Sequence, residues 1–244
     1  MVRELFTLNP NLDRAELAAA FARDGRVQVR DLLTSETAKE VFEILATQTP
    51  WGIAWHSDAA EGPQAIEAPE LYAGAQEKQN EIGQATYRSA AKGDYAFQFA
   101  RYSIVEAYLG KWREGGPHDL LLEYINAPDF LDFIREVTGM PELIKADAQA
   151  TLFAPGHFLG RHSDSHMAEG WKVAYVMNFC RPDWHPDWGG YLNFYDEDGD
   201  IVAGYRPRPN ALNLFAVPRA HAVSFVPPYA PVGRFAITGW FRDR

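Results

Sequence analysis

Along the first 142 residues apolar positions recur mostly at helical spacing; beyond residue 143 the repeat shortens to two. Asp13 is placed to cap a helix running through Ala22, because AELAAAFA is rich in strong helix formers. GRVQVRDLL then alternates like a short strand, and Thr34 or Ser35 opens a second helix, ETAKEVFEILAT, with Val41, Ile44 and Leu45 at helical spacing. The stretch from Trp51 to Leu71 carries Gly, Pro and acidic residues and reads as a loop or flap. Residues 74–93 suit a polar helix, and YAFQFARYSIVEAYL alternates as strand or mixed structure. PDFLDFIREVTGM is amphipathic, with Phe130, Phe133, Ile134 and Val137 on one face and Gly139 as its stop.

From residue 143 onward the chain breaks into short strand-like segments: LIKADAQATLF, HFLGRHSD, WKVAYVMNF, GGYLNFYDE, DIVAGYRP, ALNLFAV, HAVSFVPP and RFAITGWFRD. Turn signals (PG, WGG, EDGD, RPRPN, PVG) separate them. Eight strands at this spacing after a helical half predict a β-sandwich or barrel with helices packed outside. No Gly- or Pro-rich linker divides the chain, so residues 1–244 are expected to form one domain. In it, 1–142 supply supporting helices and first strands, and 143–244 the barrel core.

The composition, 47% apolar and 23% charged, is that of a soluble globular protein, and the formal charge of −10 argues against nucleic-acid binding. The single cysteine, Cys180, excludes an intramolecular disulfide and reads as buried filler. The first residues lack the apolar run of a signal peptide, and no stretch is long enough to span a membrane. A cytoplasmic protein without membrane or nucleic-acid partners is expected.

HFLGRHSDSH, residues 157–166, concentrates candidate metal ligands. His162 and Asp164 are two apart, so on a strand they point to one face. His166 shares that parity only if the strand continues, and is read as a residue of the mouth or of the solvent face; His157 is read as a loop residue. His221 opens another apolar strand far down the chain, from which a rolled sheet can return it to the pair. Two imidazoles and one carboxylate make the facial triad of non-heme Fe(II) oxygenases; zinc is the competing metal. Arg234 begins the otherwise apolar strand RFAITGWF, with Thr238 and Trp240 on its face. A buried arginine needs a partner, and its planar fork suits a carboxylate.

Residues 146–240 resemble the prolyl 4-hydroxylase branch of the 2-oxoglutarate-dependent Fe(II) oxygenases, through His162-Ser163-Asp164, the distal His221, Arg234 and the tail RFAITGWF. The likeness is greatest to the catalytic domain of the ribosomal prolyl hydroxylases. It implies a double-stranded β-helix, the jelly-roll barrel, with supporting N-terminal helices. His162, Asp164 and His221 are implied to hold Fe(II), and Arg234 to pair the far carboxylate of 2-oxoglutarate. With O2, the cosubstrate is decarboxylated to succinate and CO2, followed by hydrogen abstraction from a substrate carbon and hydroxyl rebound, with ascorbate as a reductant. Asp164 favours hydroxylation, since related halogenases replace that carboxylate. Where the relatives carry two tyrosines near the cosubstrate, this chain has Asn178 and Phe153; Asn178 can still donate a hydrogen bond, whereas Phe153 can only pack. Thr238 can donate to the cosubstrate carboxylate, and Trp240 either packs or borders it. The ribosomal enzymes carry a second barrel, for which 244 residues leave no room.

The substrate expected from the resemblance is a prolyl residue in a protein or peptide. Two rivals are the same chemistry on a free amino acid or small metabolite, and a non-oxidative, cupin-like metal-binding or sugar-binding barrel. Trp171, Trp184 and Trp188 are candidates for the mouth, although large aromatics usually pack.

Overall fold

The computed structural model describes residues 5–59, 61–164 and 169–244. The helices are α1 (Arg14–Asp24), α2 (Ser35–Thr47), α3 (Ala68–Ala73), α4 (Ala75–Ala91), α5 (Ile104–Leu109), α6 (Pro117–Ile125) and α7 (Pro128–Thr138). The strands of the first half are β1 (Arg26–Arg30), β2 (Gly52–His56), β3 (Gln64–Ile66) and β4 (Phe97–Tyr102). Those of the second are β5 (Lys145–Ala146), β6 (Gln149–Phe153), β7 (Phe158–Ser163), β8 (Trp171–Asn178), β9 (Leu192–Tyr195), β10 (Ile201–Tyr205), β11 (Ala211–Ala216), β12 (Ala220–Val223) and β13 (Arg234–Arg242).

Local chemistry places the helices close to their expected bounds. The Asp13 side chain accepts from the backbone N–H of Glu16 at the start of α1, and Thr34 takes the N-cap position of α2 without a side-chain bond to its first turn. Gly139 ends α7 at φ 69°, a left-handed conformation that costs glycine little. The stretch read as a flap, Trp51–Leu71, is instead largely regular: β2 pairs with β3 and with β4, and α3 follows. Its turn residues fall between the strands, where they close a hairpin rather than abolish one. The helix α6 was not anticipated, although Pro117 at its first position and Leu121, Leu122 and Ile125 at helical spacing were available signals.

The strands follow the order β1-β11-β8-β13-β6-β4-β7-β12-β9-β10, antiparallel throughout, with β2–β3 attached to β4 and β5 to β13. This nearly closed antiparallel barrel is the double-stranded β-helix. One sheet is β1, β11, β8, β13 and β6; the other is β7, β12, β9 and β10. β4 joins them, pairing with β6 through Ala100–Tyr102 and with β7 through Phe97 and Gln98.

Alternation on β13 divides two environments. Phe235, Ile237 and Phe241 face outward into the main core with Phe130, Ile134 and Leu45 from the helices. Arg234, Thr238 and Trp240 face the barrel interior and line its cavity. The helices thus brace the sheet from behind and leave its inner face free for a site. Among the described residues no helix is long and apolar enough to cross a membrane.

Candidate active site

His162 and His221 are direct cross-strand partners on β7 and β12. Register alone brings the two imidazoles together, with ring centroids 4.2 Å apart. Asp164 follows the end of β7 and turns its carboxylate between them: Oδ1 lies 3.5 Å from His162 Nε2 and Oδ2 3.8 Å from His221 Nε2. One ligand atom from each residue lies within 4.8 Å of the others, which suits a single metal ion.

The tautomers follow from the backbone. His162 Nδ1 lies 3.0 Å from the Gly160 carbonyl and His221 Nδ1 2.8 Å from that of Arg219. A carbonyl only accepts, so each Nδ1 carries the hydrogen and each Nε2 presents its lone pair to the centre. Burial, and then the neighbouring His162, hold the His221 pKa down to about 4, so this imidazole is neutral at pH 7. Burial works against ionisation of Asp164, yet its contacts with His162, His221 and the Trp240 N–H hold its pKa below the ordinary carboxylate range. Trp240 Nε1 donates to Asp164 Oδ2 at 2.9 Å, and its ring stacks on Trp171 at 3.9 Å.

The triad and Arg234 line one cavity of about 490 Å³, a size usual for small-ligand sites. Arg234 is 2% exposed. Its Nε donates to Asn178 Oδ1 at 2.8 Å and its guanidinium lies 5.4 Å from the Phe153 ring centre. Burial pulls its pKa down to about 10, so it remains charged at pH 7. No carboxylate pairs with it among the described residues, and both Arg234 Nη1 and Asn178 Nδ2 are buried without a hydrogen-bond partner. Each unsatisfied buried donor costs about 1–3 kcal/mol, more for a charged one. A carboxylate oxygen entering from the cavity answers the guanidinium's deficit.

The structure therefore brings His162, Asp164, His221, Arg234, Phe153, Thr238 and Trp240 to one cavity. Asn178 is brought to Arg234 but does not line that cavity. His157 sits in the turn before β7, accepting from the Ala154 N–H. His166 lies outside the described residues. Of the tryptophans, Trp171 lines the cavity, whereas Trp184 is buried and donates to the Gly189 carbonyl. Cys180 is buried, and that burial raises its pKa to about 12.

One wall was not anticipated. Tyr95 and, on β4, Phe97, Phe99 and Arg101 line the cavity. The alternation Phe97-Phe99-Arg101 was the available signal: a charge in register with two aromatics on one strand face.

Residues 148–242 match the 2OG-Fe(II) oxygenase superfamily. The matched stretch holds the His162, Asp164 and His221 group and Arg234. No curated protein matches the chain in sequence. Among solved structures it is similar to a prolyl-4-hydroxylase of Pseudomonas putida: TM-score 0.58, 16% identity, 95% of this chain and 99% of that one. An oxidoreductase of the 2OG-Fe(II) oxygenase family from Burkholderia pseudomallei gives TM-score 0.58 at 14% identity, over 98% and 94% of the two chains. A Trichoplax adhaerens prolyl hydroxylase, in complex with a peptide fragment of the hypoxia inducible factor oxygen degradation domain, gives 0.56 at 15% identity, over 94% and 89%. At these identities the likeness is one of fold.

Proposed function

We propose that the protein is a 2-oxoglutarate- and O2-dependent hydroxylase acting on a prolyl residue of a protein or peptide. The observation that carries the cosubstrate is the buried Arg234 guanidinium, charged and without a paired carboxylate among the described residues, in the same cavity as two imidazoles and a carboxylate. The prolyl substrate is supported by the fold shared with prolyl hydroxylases, one of them holding a peptide.

His162, Asp164 and His221 would hold Fe(II), and Arg234 the far carboxylate of 2-oxoglutarate, with the Thr238 hydroxyl on the same strand face. When bound, the metal, cosubstrate and O2 supply the oxidation, 2-oxoglutarate leaving as succinate and CO2. The protein's own part is positional. The Nδ1 hydrogen bonds keep both imidazoles aimed with Nε2 toward the centre, Trp240 turns the Asp164 carboxylate, and Phe97, Phe99 and Phe153 keep water from the reacting carbon. The presence of Asp164 favours hydroxylation.

The test is succinate release from 2-oxoglutarate with Fe(II), with ascorbate as reductant, against a panel of proline-containing peptides examined for the mass gain of one oxygen. His162→Ala should abolish turnover. Arg234→Ala should lower kcat/KM roughly ten- to a hundredfold, the value of a charge-assisted hydrogen bond of about 1.5–3 kcal/mol. Wild type that binds neither Fe(II) nor 2-oxoglutarate rejects the oxygenase reading and leaves a binding barrel. Oxygen gain only on free amino acids or small metabolites rejects the prolyl one.

A further inference from the structure

The two ends of the strand path, β1 and β10, do not pair with each other, and the seam between them holds a second cleft of about 610 Å³. Three arginines line it: Arg30 from β1, and Arg206 and Arg208 from the segment after β10. None has a carboxylate within ion-pair distance among the described residues. That is unexpected in a chain with 33 acidic residues against 23 basic ones.

The cluster is held in place. Arg208 Nε donates to Gln28 Oε1 at 3.0 Å, and Gln28 is anchored in turn by donating to Asn213 Oδ1 at 2.9 Å. Arg206 Nη1 donates to the Trp184 carbonyl at 3.3 Å, while its Nε is buried with no hydrogen-bond partner among the described residues. Burial, and then the like charges of Arg30 and Arg206, lower the pKa of Arg208, so the guanidiniums are close enough to repel one another. A buried unmet donor beside mutually repelling cations is relieved by an anion.

We propose that this cleft binds a phosphate group, as a phosphomonoester dianion or as inorganic phosphate. A carboxylate satisfies one guanidinium fork, whereas a tetrahedral dianion offers three oxygens to three forks. Tyr191 and Tyr205 line the cleft as well and give an aromatic wall to the group that carries the phosphate. The site stands apart from the iron-centre cavity and does not depend on the oxygenase reading.

The experiment uses the full chain without metal or 2-oxoglutarate, at 0.15 M salt, and follows 31P line broadening of inorganic phosphate and of a nucleoside monophosphate. Binding of either probe is expected, with affinity falling at least tenfold in Arg206→Gln/Arg208→Gln and unchanged in Arg234→Gln. Arg30→Gln guards against misfolding of the double variant, since the Arg30 side chain is exposed and makes no hydrogen bond among the described residues; it should also weaken binding several-fold. The nucleoside monophosphate binding more tightly assigns the site to phosphomonoesters, and equal binding assigns it to the phosphate alone; both uphold the proposal. No broadening by either probe overturns it, as does binding that survives all the cleft variants. Equal competition by a hexaglutamate peptide also overturns it, in favour of a carboxylate-binding surface.

Discussion

The Trp240 ring does two jobs: its N–H fixes Asp164 and its face stacks on Trp171. Trp240→Phe keeps an aromatic ring for the stack and removes only the donor. Partners of this kind typically carry ten- to a hundredfold in metal affinity. Titration of the metal-free protein with Fe(II) should show a loss of about that size in Trp240→Phe, with little change in the thermal midpoint before metal is added. Unchanged affinity would mean that the hydrogen bond does not hold the carboxylate. The H-x-D spacing was readable because a strand alternates, and Arg234 because a charge in an apolar strand needs an explanation. The Trp240–Asp164 contact was not, since it depends on how two strands approach across the barrel. Likewise Asn178 ends on Arg234 Nε rather than in the cavity, a matter of side-chain reach that spacing cannot specify.

Helix α6 begins with Pro117, and its second residue, His118, is buried against Tyr102 of β4 at 4.7 Å. The Thr49 hydroxyl donates to the Ile44 carbonyl, so at 2.9 Å it accepts from His118 Nε2. Burial, and then Arg113, lower the His118 pKa from 6.5 to about 4. The unfolded chain therefore takes up a proton near pH 6.5 that the folded chain refuses until about 4, and stability declines across that interval as the pH falls. The loss from this one group is on the order of 3 kcal/mol at most. Urea unfolding between these pH values should decline less steeply in His118→Gln than in wild type; superimposable slopes would exclude His118 as a source. Elements with strong internal periodicity, such as α7 and β13, are legible from sequence because their own residues determine them. The β2–β3 hairpin was not, because its regularity comes from pairing with β4.

At the scale of the molecule, the stretch matching the oxygenase superfamily, residues 148–242, omits a strand its barrel requires. β4 supplies the Phe97-Phe99-Arg101 wall of the cavity and covers the free edges of both β6 and β7. Residues 143–244 expressed alone would expose those two edges, and uncovered strands recruit other chains. That fragment should sediment as aggregate, while the full chain unfolds in one transition. A soluble, cooperatively unfolding fragment would show instead that the second half is self-sufficient. The double pairing of β4 also bears on how such chains diversify. A recombination event that joins the second half to a different first half must bring a strand able to satisfy two sheets at once, in both registers. Exchange is therefore restricted to parents that already share this strand, and variety enters more readily through the loops at the mouth than through the swapping of halves.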